Sequence, residues 1–76
     1  MNNHEQIQSD LISSIVALRK SRKISQAELS ELSGVKQPII ARLEKERTDP
    51  QLSTVLKLLS CLDATLEIKV NHESDL

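Results

Sequence analysis

The sequence predicts an all-α domain, a bundle of four (at most five) helices that is followed by one short C-terminal β-strand. Apolar residues recur every three or four positions in four separate segments, which is the period of a helix with one buried side. Gly34, the single glycine among the 76 residues, lies between the second and third of these segments. After Asp63 the apolar residues alternate with polar ones, which is the period of a strand.

The first two helices have recognisable start signals. The first helix is predicted from Ile7 to about Ser21, and the polar residues 1–6 before it are expected to be flexible. The second helix is predicted to begin after Ser25, because Ser25 and Glu28 have the spacing of a capping box. Its predicted apolar side consists of Ala27, Leu29 and Leu32.

The third helix follows a turn at Gly34. The residue after a helix often needs a positive φ, which glycine adopts without strain. The third helix is predicted over residues 37–45, with Ile40 and Leu43 facing inward. Pro38 is compatible with its first turn, where a missing N–H leaves no helical hydrogen bond unmade.

The fourth helix and the strand complete the predicted fold. The helix is expected after a turn at Pro50, on the apolar series Leu52, Val55, Leu56, Leu59 and Leu62. Residues 65–70 then alternate as a strand, and no second strand pattern is present to pair with it. We therefore expect this strand to pair across a dimer through Leu66, Glu67, Ile68, Lys69 and Val70. The alternative is a short extended tail that lies on the helices.

The composition excludes several classes of protein. Cys61 is the only cysteine, which rules out an internal disulfide and, without a signal-like segment, indicates the cytoplasm. No apolar run is long enough to span a membrane. The two histidines lie near opposite ends of the chain, so neither a metal site nor a cofactor is expected. We find no nucleophile–base set and no glycine-rich phosphate loop, so we expect neither an enzyme nor a small-molecule substrate.

The net charge of −1 conceals an uneven distribution of charge. Between Arg19 and Arg47, eight basic residues stand against four acidic ones, while both flanking segments are acidic. A basic middle segment suits an anionic partner, although an ordinary solvated surface has the same pattern. The chain has no Phe, Tyr or Trp, the side chains that usually stack on single-stranded nucleic acid. Double-stranded DNA therefore remains as the expected partner.

The two helices around Gly34 have the layout of a helix-turn-helix, in which a short turn containing glycine joins two short helices. The second helix of such a motif places its N-terminal end in the major groove. Here that end carries Lys36, Gln37 and Pro38, with Ala41 and Arg42 one turn later. Glutamine bonds adenine bidentately, arginine does the same with guanine, and alanine admits a thymine methyl group.

The stretch "SQAELSELSGVKQPIIARLEKERTDPQLSTVLKLLSCL" resembles the lambda-repressor-like, XRE-type helix-turn-helix family, across roughly residues 7–62. This resemblance implies a compact helical bundle that binds operator DNA as a two-fold dimer. It matches Gln37 and Arg42 to base-reading positions of the recognition helix and Lys36 to a position that contacts bases or phosphate, and Pro38 and Ala41 complete the expected base-reading set. It matches Gln26 to a phosphate-clamping site, and the other expected phosphate contacts are Arg22, Lys23, Lys45, Arg47 and Thr48. Arg19 and Glu44 match a pair that often forms a partly buried salt bridge in this family.

Two residues depart from the family pattern. Pro38 stands where the family usually has a small or polar residue, so one potential base contact is lost. Glu46 stands where the family often has glycine, which puts an acid close to the expected position of a DNA phosphate. This change affects how Lys45 and Arg47 are expected to contact the DNA backbone.

The four-helix pattern followed directly by "ATLEIKV" is similar to HipB- and HigA-like antitoxins, whose strands pair between subunits. This resemblance implies a repressor that is the autoregulatory antitoxin of a toxin–antitoxin pair, with operator DNA, a second copy and a toxin as partners. Two alternatives are a stand-alone phage or plasmid-type regulator and a protein-interaction module that has lost DNA binding. The expected organisation is a flexible N-terminus (1–6), a DNA-binding domain (7–62), a dimerisation strand (63–71) and a flexible tail (72–76).

Overall fold

Four α-helices build the structure, which is a computed structural model that describes residues 3–46 and 49–70. The helices are α1 (His4–Ser21), α2 (Gln26–Ser33), α3 (Gln37–Glu44) and α4 (Leu52–Cys61). The predicted all-α class is confirmed, and the described residues contain neither a fifth helix nor a strand. In this part of the chain, no helix is long and apolar enough to cross a membrane.

Helix α1 begins at His4, before the predicted start at Ile7. The side chain of Asn3 caps it by accepting a hydrogen bond of 2.8 Å from the backbone N–H of Gln6. Residues 4–6 are therefore helical. All residues of the first turn are exposed, including Ile7 at 56%. This turn has no buried side, so the apolar pattern does not reveal where the helix begins.

Helix α2 begins with the predicted capping box. The backbone N–H of Glu28 donates to Ser25 Oγ, and the backbone N–H of Ser25 donates to Glu28 Oε1, both at 3.0 Å. The predicted apolar side is correct for Leu29, which is fully buried, and wrong for Ala27 and Leu32, which are exposed.

The inward stripe of α2 is partly polar, which explains why the apolar pattern was misleading. It consists of the half-buried or buried residues Gln26, Leu29, Ser30 and Ser33, at helical spacing. The serine hydroxyls are satisfied, since Ser30 Oγ donates to the Val35 carbonyl at 2.6 Å and Ser33 Oγ donates to the Leu29 carbonyl at 2.7 Å. Two small, hydrogen-bonded serines therefore face inward on α2, while Ala27 and Leu32 face outward.

The turn between α2 and α3 depends on Gly34 and Val35. Gly34 has a φ of +78°, and its backbone N–H donates to the Ser30 carbonyl at 2.9 Å. Val35 is buried, so the turn is held to the core by an apolar side chain. Pro38 lies in the first turn of α3, where its ring interrupts no helical hydrogen bond.

The core lies where α2 packs against α3 and α4 and where α1 packs against α3. Its buried apolar residues are Ile12, Ile15, Leu29, Val35, Ile40, Leu43, Val55, Leu58, Leu59 and Leu62. In α4 the prediction was wrong for Leu52 and Leu56, which are 64% and 45% exposed, and it omitted the fully buried Leu58. The stripe that faces inward follows helical spacing from Val55 through Leu58 to Leu62, and Leu52 and Leu56 lie outside it.

The predicted strand is not formed in the single chain. Residues 64–70 have no regular secondary structure. Ile68 is 94% exposed, and Leu66 and Val70, two positions before and after it, are also exposed. A lone strand needs backbone hydrogen bonds from a neighbouring strand, and the described part of the chain supplies none. Strand pairing across a dimer therefore stays a prediction, and the tail at 72–76 lies outside the described residues.

Candidate nucleic-acid interface

Helices α2 and α3, joined by residues 34–36, form the helix-turn-helix. Ile40 and Leu43 anchor α3 to the core with at most 1% exposure each. The opposite side of α3 and its N-cap is exposed and carries Lys36, Gln37, Pro38, Ile39 and Arg42, with Ala41 half-buried. The structure therefore presents all five predicted base-reading positions along one accessible helix.

The polar side chains on this face are available to a ligand. Among the described residues, Lys36, Gln37 and Arg42 form no side-chain hydrogen bond or ion pair within the chain. Their donors need not break an internal contact before they bind elsewhere. Arg42 also lies in the last turn of α3, where a positive charge interacts favourably with the helix dipole.

Ile39 is a surface residue that the sequence analysis missed. It is 42% exposed beside the fully buried Ile40, and it shares a side of α3 with Arg42, three positions later. Its signal in the sequence was indirect, because Ile39 lies at the edge of the helix side on which Ile40 and Leu43 were predicted to face inward. Ile39 adds an apolar contact to a surface that is otherwise polar.

Four of the six predicted phosphate contacts lie in the described part of the chain. Gln26 is its first residue and is half-buried, while Arg22, Lys23 and Lys45 are exposed. Arg47 and Thr48 lie outside the described residues. The backbone N–H groups of Gln26 and Ala27 have no partner in the described part of the chain, because the Ser25 cap satisfies only the two that follow. Free N–H groups at a helix start favour anions.

Arg19 and Glu44 form an ion pair between α1 and α3. Arg19 Nε lies 2.7 Å from Glu44 Oε2, and a second Arg19 nitrogen donates to Glu44 Oε1 at 2.9 Å. The two side chains are only 10% and 8% exposed. A third Arg19 nitrogen donates to the Ile24 carbonyl at 2.7 Å, so the guanidinium also fixes the loop after α1.

The protonation state of Glu44 follows from this environment. Burial by itself raises the pKa of the Glu44 carboxyl, while hydrogen bonds from Arg19 and Gln26 and the positive charge of Arg19 lower it. The lowering contributions are larger in sum, so the pKa lies below its ordinary value. Glu44 is therefore an ionised acceptor at neutral pH.

Two residues near the expected DNA surface have unusual backbone conformations. Lys23 and Glu46 both have a φ of +57°, a region that residues other than glycine rarely adopt. Glu46 follows α3 and is exposed, so its carboxylate lies on the surface next to Lys45. The left-handed conformation explains why glycine is common at this position in the family that the sequence resembles.

The geometry of the two helices agrees with a family comparison. A family model described as "Helix-turn-helix" (HTH_3) matches residues 15–69. The chain belongs to this helix-turn-helix family. The predicted family is thereby confirmed, and the match includes both α2 and α3 in full.

Two curated proteins and one solved structure are similar to the chain. An "uncharacterized HTH-type transcriptional regulator" from Haemophilus influenzae is 55% identical over 58 residues, which are 76% of this chain and 59% of that protein. "Antitoxin HigA1" from Mycobacterium tuberculosis is 41% identical over 58 residues, which are 76% of this chain and 39% of that protein. A solved structure, "Toxin-Antitoxin module from Streptococcus pneumoniae", matches with a TM-score of 0.73 and 42% identity, covering 92% of this chain and 82% of that chain.

The helix-turn-helix chain is shorter than the two curated relatives. It spans 59% of the first and 39% of the second. The likeness therefore concerns the shared domain rather than the whole of either relative.

Proposed function

We propose that the chain is a sequence-specific, double-stranded-DNA-binding transcriptional repressor. The observation that carries this proposal is the exposed face of α3, where Lys36, Gln37 and Arg42 extend unpaired donors from a helix anchored by the core. A helix fixed in this way can enter the major groove with its side chains already directed outward. The similarity to a transcriptional regulator supports the same function.

Base reading is assigned to the predicted α3 positions. Gln37 would bond adenine at N6 and N7, and Arg42 would bond guanine at O6 and N7. Ala41 and the exposed Ile39 would contact thymine methyl groups. Lys36 would contact a base edge or a phosphate. Pro38 would supply no hydrogen bond and would instead hold the start of the helix rigid.

Phosphate binding would fix the position of α3 in the groove. Gln26 and the free N–H groups at the start of α2 would hold one phosphate, and the exposed cations Arg22, Lys23 and Lys45 would add electrostatic attraction. Arg47 and Thr48 are assigned the same role from the sequence. Because bound cations release counterions from DNA, affinity should fall steeply as the salt concentration rises.

A homodimer is part of the proposal. Two copies would pair their 66–70 segments as antiparallel strands, with Leu66, Ile68 and Val70 of both copies on one shared face. If the two-fold axis passes at Ile68, Glu67 of one copy faces Lys69 of the other, which is a favourable cross-strand pair. The exposure of all five side chains in the single chain supports this assignment.

We further propose that the repressor is the autoregulatory antitoxin of a toxin–antitoxin pair, acting in the cytoplasm. The support comes from the similarity to "Antitoxin HigA1" and to the "Toxin-Antitoxin module" chain, which matches along most of its length. In this role the protein would bind both its operator and a toxin. Its function would be binding rather than catalysis.

Selection of bound fragments from a random pool of duplex DNA tests the proposal directly. We expect a two-fold symmetric consensus whose half-sites are about one helical turn apart, because a dimer presents two α3 helices to one side of the duplex. The variant Gln37→Ala, selected in parallel, should lose its preference at one position of each half-site. A pool that shows no enrichment at low salt would contradict DNA binding, and an enriched single half-site would contradict the dimer.

A further inference from the structure

Gln26 is not free in the structure, although it is assigned to a DNA phosphate. Its Nε2 donates a hydrogen bond of 2.9 Å to Glu44 Oε1, across 18 positions of sequence. The same carboxylate accepts the two bonds from Arg19. One glutamate at the end of α3 therefore joins α1 and the first residue of α2.

We infer that Glu44 is a positioning residue for the phosphate contact of Gln26, and that Arg19 makes this positioning compatible with DNA. The inference rests on the proposed DNA binding and adds a role for two residues whose side chains are only 10% and 8% exposed. It goes beyond a structural ion pair, since it assigns the pair an effect on affinity.

The chemistry of the amide group gives the first reason. The end of a glutamine side chain has a donor NH₂ group on one side and an acceptor oxygen on the other. A carboxylate accepts hydrogen bonds only, so Glu44 selects the orientation in which the NH₂ group faces it. The second N–H of Gln26 then stays available to a phosphate. Without Glu44, the Gln26 side chain would sample its other rotamers as well as the opposite amide orientation, and DNA binding would first have to restrict that freedom.

The charge of Glu44 gives the second reason. An isolated carboxylate next to the start of α2 would oppose the binding of a phosphate. Arg19 offsets that charge through two hydrogen bonds, and its own position is fixed by burial and by the Ile24 carbonyl. The pair therefore acts as a neutral unit that still offers a strong acceptor to Gln26.

A variant that replaces the pair by apolar residues separates positioning from stability. Replacing a buried ion pair by apolar side chains of similar size is often neutral or stabilising for the fold. Arg19→Met combined with Glu44→Leu should therefore keep a native melting transition. The same variant should bind DNA more weakly, because nothing then orients the Gln26 amide.

The experiment is a double-mutant cycle measured by fluorescence anisotropy on a selected operator duplex and on a random duplex. In the wild-type background, Gln26→Ala should weaken binding to both duplexes by about tenfold, the effect of one hydrogen bond to a charged group. The apolar pair variant should show about the same loss on both duplexes. Adding Gln26→Ala to the apolar pair should cause little further loss. The control for a simple change of charge is Glu31→Gln, which neutralises an exposed acid on α2, the helix that begins with Gln26.

The possible outcomes are distinct. If Gln26→Ala weakens binding by its full factor in the apolar background, Gln26 acts independently of Glu44 and the inference is overturned. If the apolar pair variant does not fold, Glu44→Gln is measured instead, because an amide at position 44 can donate as well as accept and no longer selects one orientation of the Gln26 amide. Gln26→Ala should then cause a smaller loss than it does in the wild-type background, and an equally large loss in a folded Glu44→Gln protein would overturn the inference. If the wild-type protein binds neither duplex, the proposed function itself fails, and the inference fails with it.

Discussion

Replacing Gly34 by alanine tests why the single glycine lies between α2 and α3. Gly34 has a φ of +78°, and apart from its two neighbours in the chain no residue has a heavy atom within 4 Å of the position where a Cβ would be added. The cost of the substitution is therefore conformational rather than steric, about 1–2 kcal/mol for an L-residue in the left-handed region. Alanine also restricts the unfolded chain, which offsets about 0.4–1 kcal/mol. We expect a net loss of about 1 kcal/mol in the free energy of unfolding.

For a domain of this size, such a loss lowers the melting temperature by about 4–8 °C. Thermal unfolding followed by circular dichroism measures it, at one fixed protein concentration because the proposed dimer would make the melting temperature depend on concentration. Gly34→Asn is the matched control, since asparagine tolerates the left-handed region better than alanine does. Equal melting temperatures for wild type and Gly34→Ala would refute the conformational argument. A loss several times larger than expected would show that the added methyl group does clash.

Four further predictions concern binding, assembly and pH. Arg42→Ala should weaken the binding free energy by about 1–3 kcal/mol on a selected operator and by little on a random duplex, as measured by fluorescence anisotropy. Equal losses on the two duplexes would show that Arg42 does not read a base. Ile68→Lys should dissociate the dimer, and an unchanged mass in analytical ultracentrifugation would contradict strand pairing. Glu67→Lys should weaken association by placing like charges opposite each other, and adding Lys69→Glu should restore it. The fold lowers the pKa of the Glu44 carboxyl, so the ionised Glu44 should stabilise the protein fully above the ordinary glutamate pKa and progressively less as the pH falls below it. Acid unfolding of wild type and Glu44→Gln, measured side by side, checks this, because the stability difference between the two proteins should shrink as the pH falls.

Short-range signals in the sequence predicted the local structure well. The capping box at Ser25, the left-handed Gly34 and the first-turn Pro38 were all predicted, and the structure contains each of them. These features involve residues within about one helical turn, so the chemistry that decides them is contained in a few adjacent side chains. The same holds for the inward position of Leu29.

Longer apolar patterns were less reliable. Leu32, Leu52 and Leu56 were predicted to face the core and are exposed, while the inward side of α2 carries two hydrogen-bonded serines. Periodicity identifies a side of a helix, but it does not indicate how much of that side another helix covers. With so short a helix as α2, one error in the covered side changes most of the assignment.

By itself, the sequence determined the helix class, the helix-turn-helix and every residue on the exposed side of α3 except Ile39, because propensity, capping and period act along the chain. Only the tertiary structure decided which side chains meet across the chain. Arg19, Gln26 and Glu44 come from three different helices, and their shared hydrogen bonds exist because α1, α2 and α3 pack around one core. The paired strand differs from both cases, because its hydrogen-bond partners would belong to a second copy of the chain.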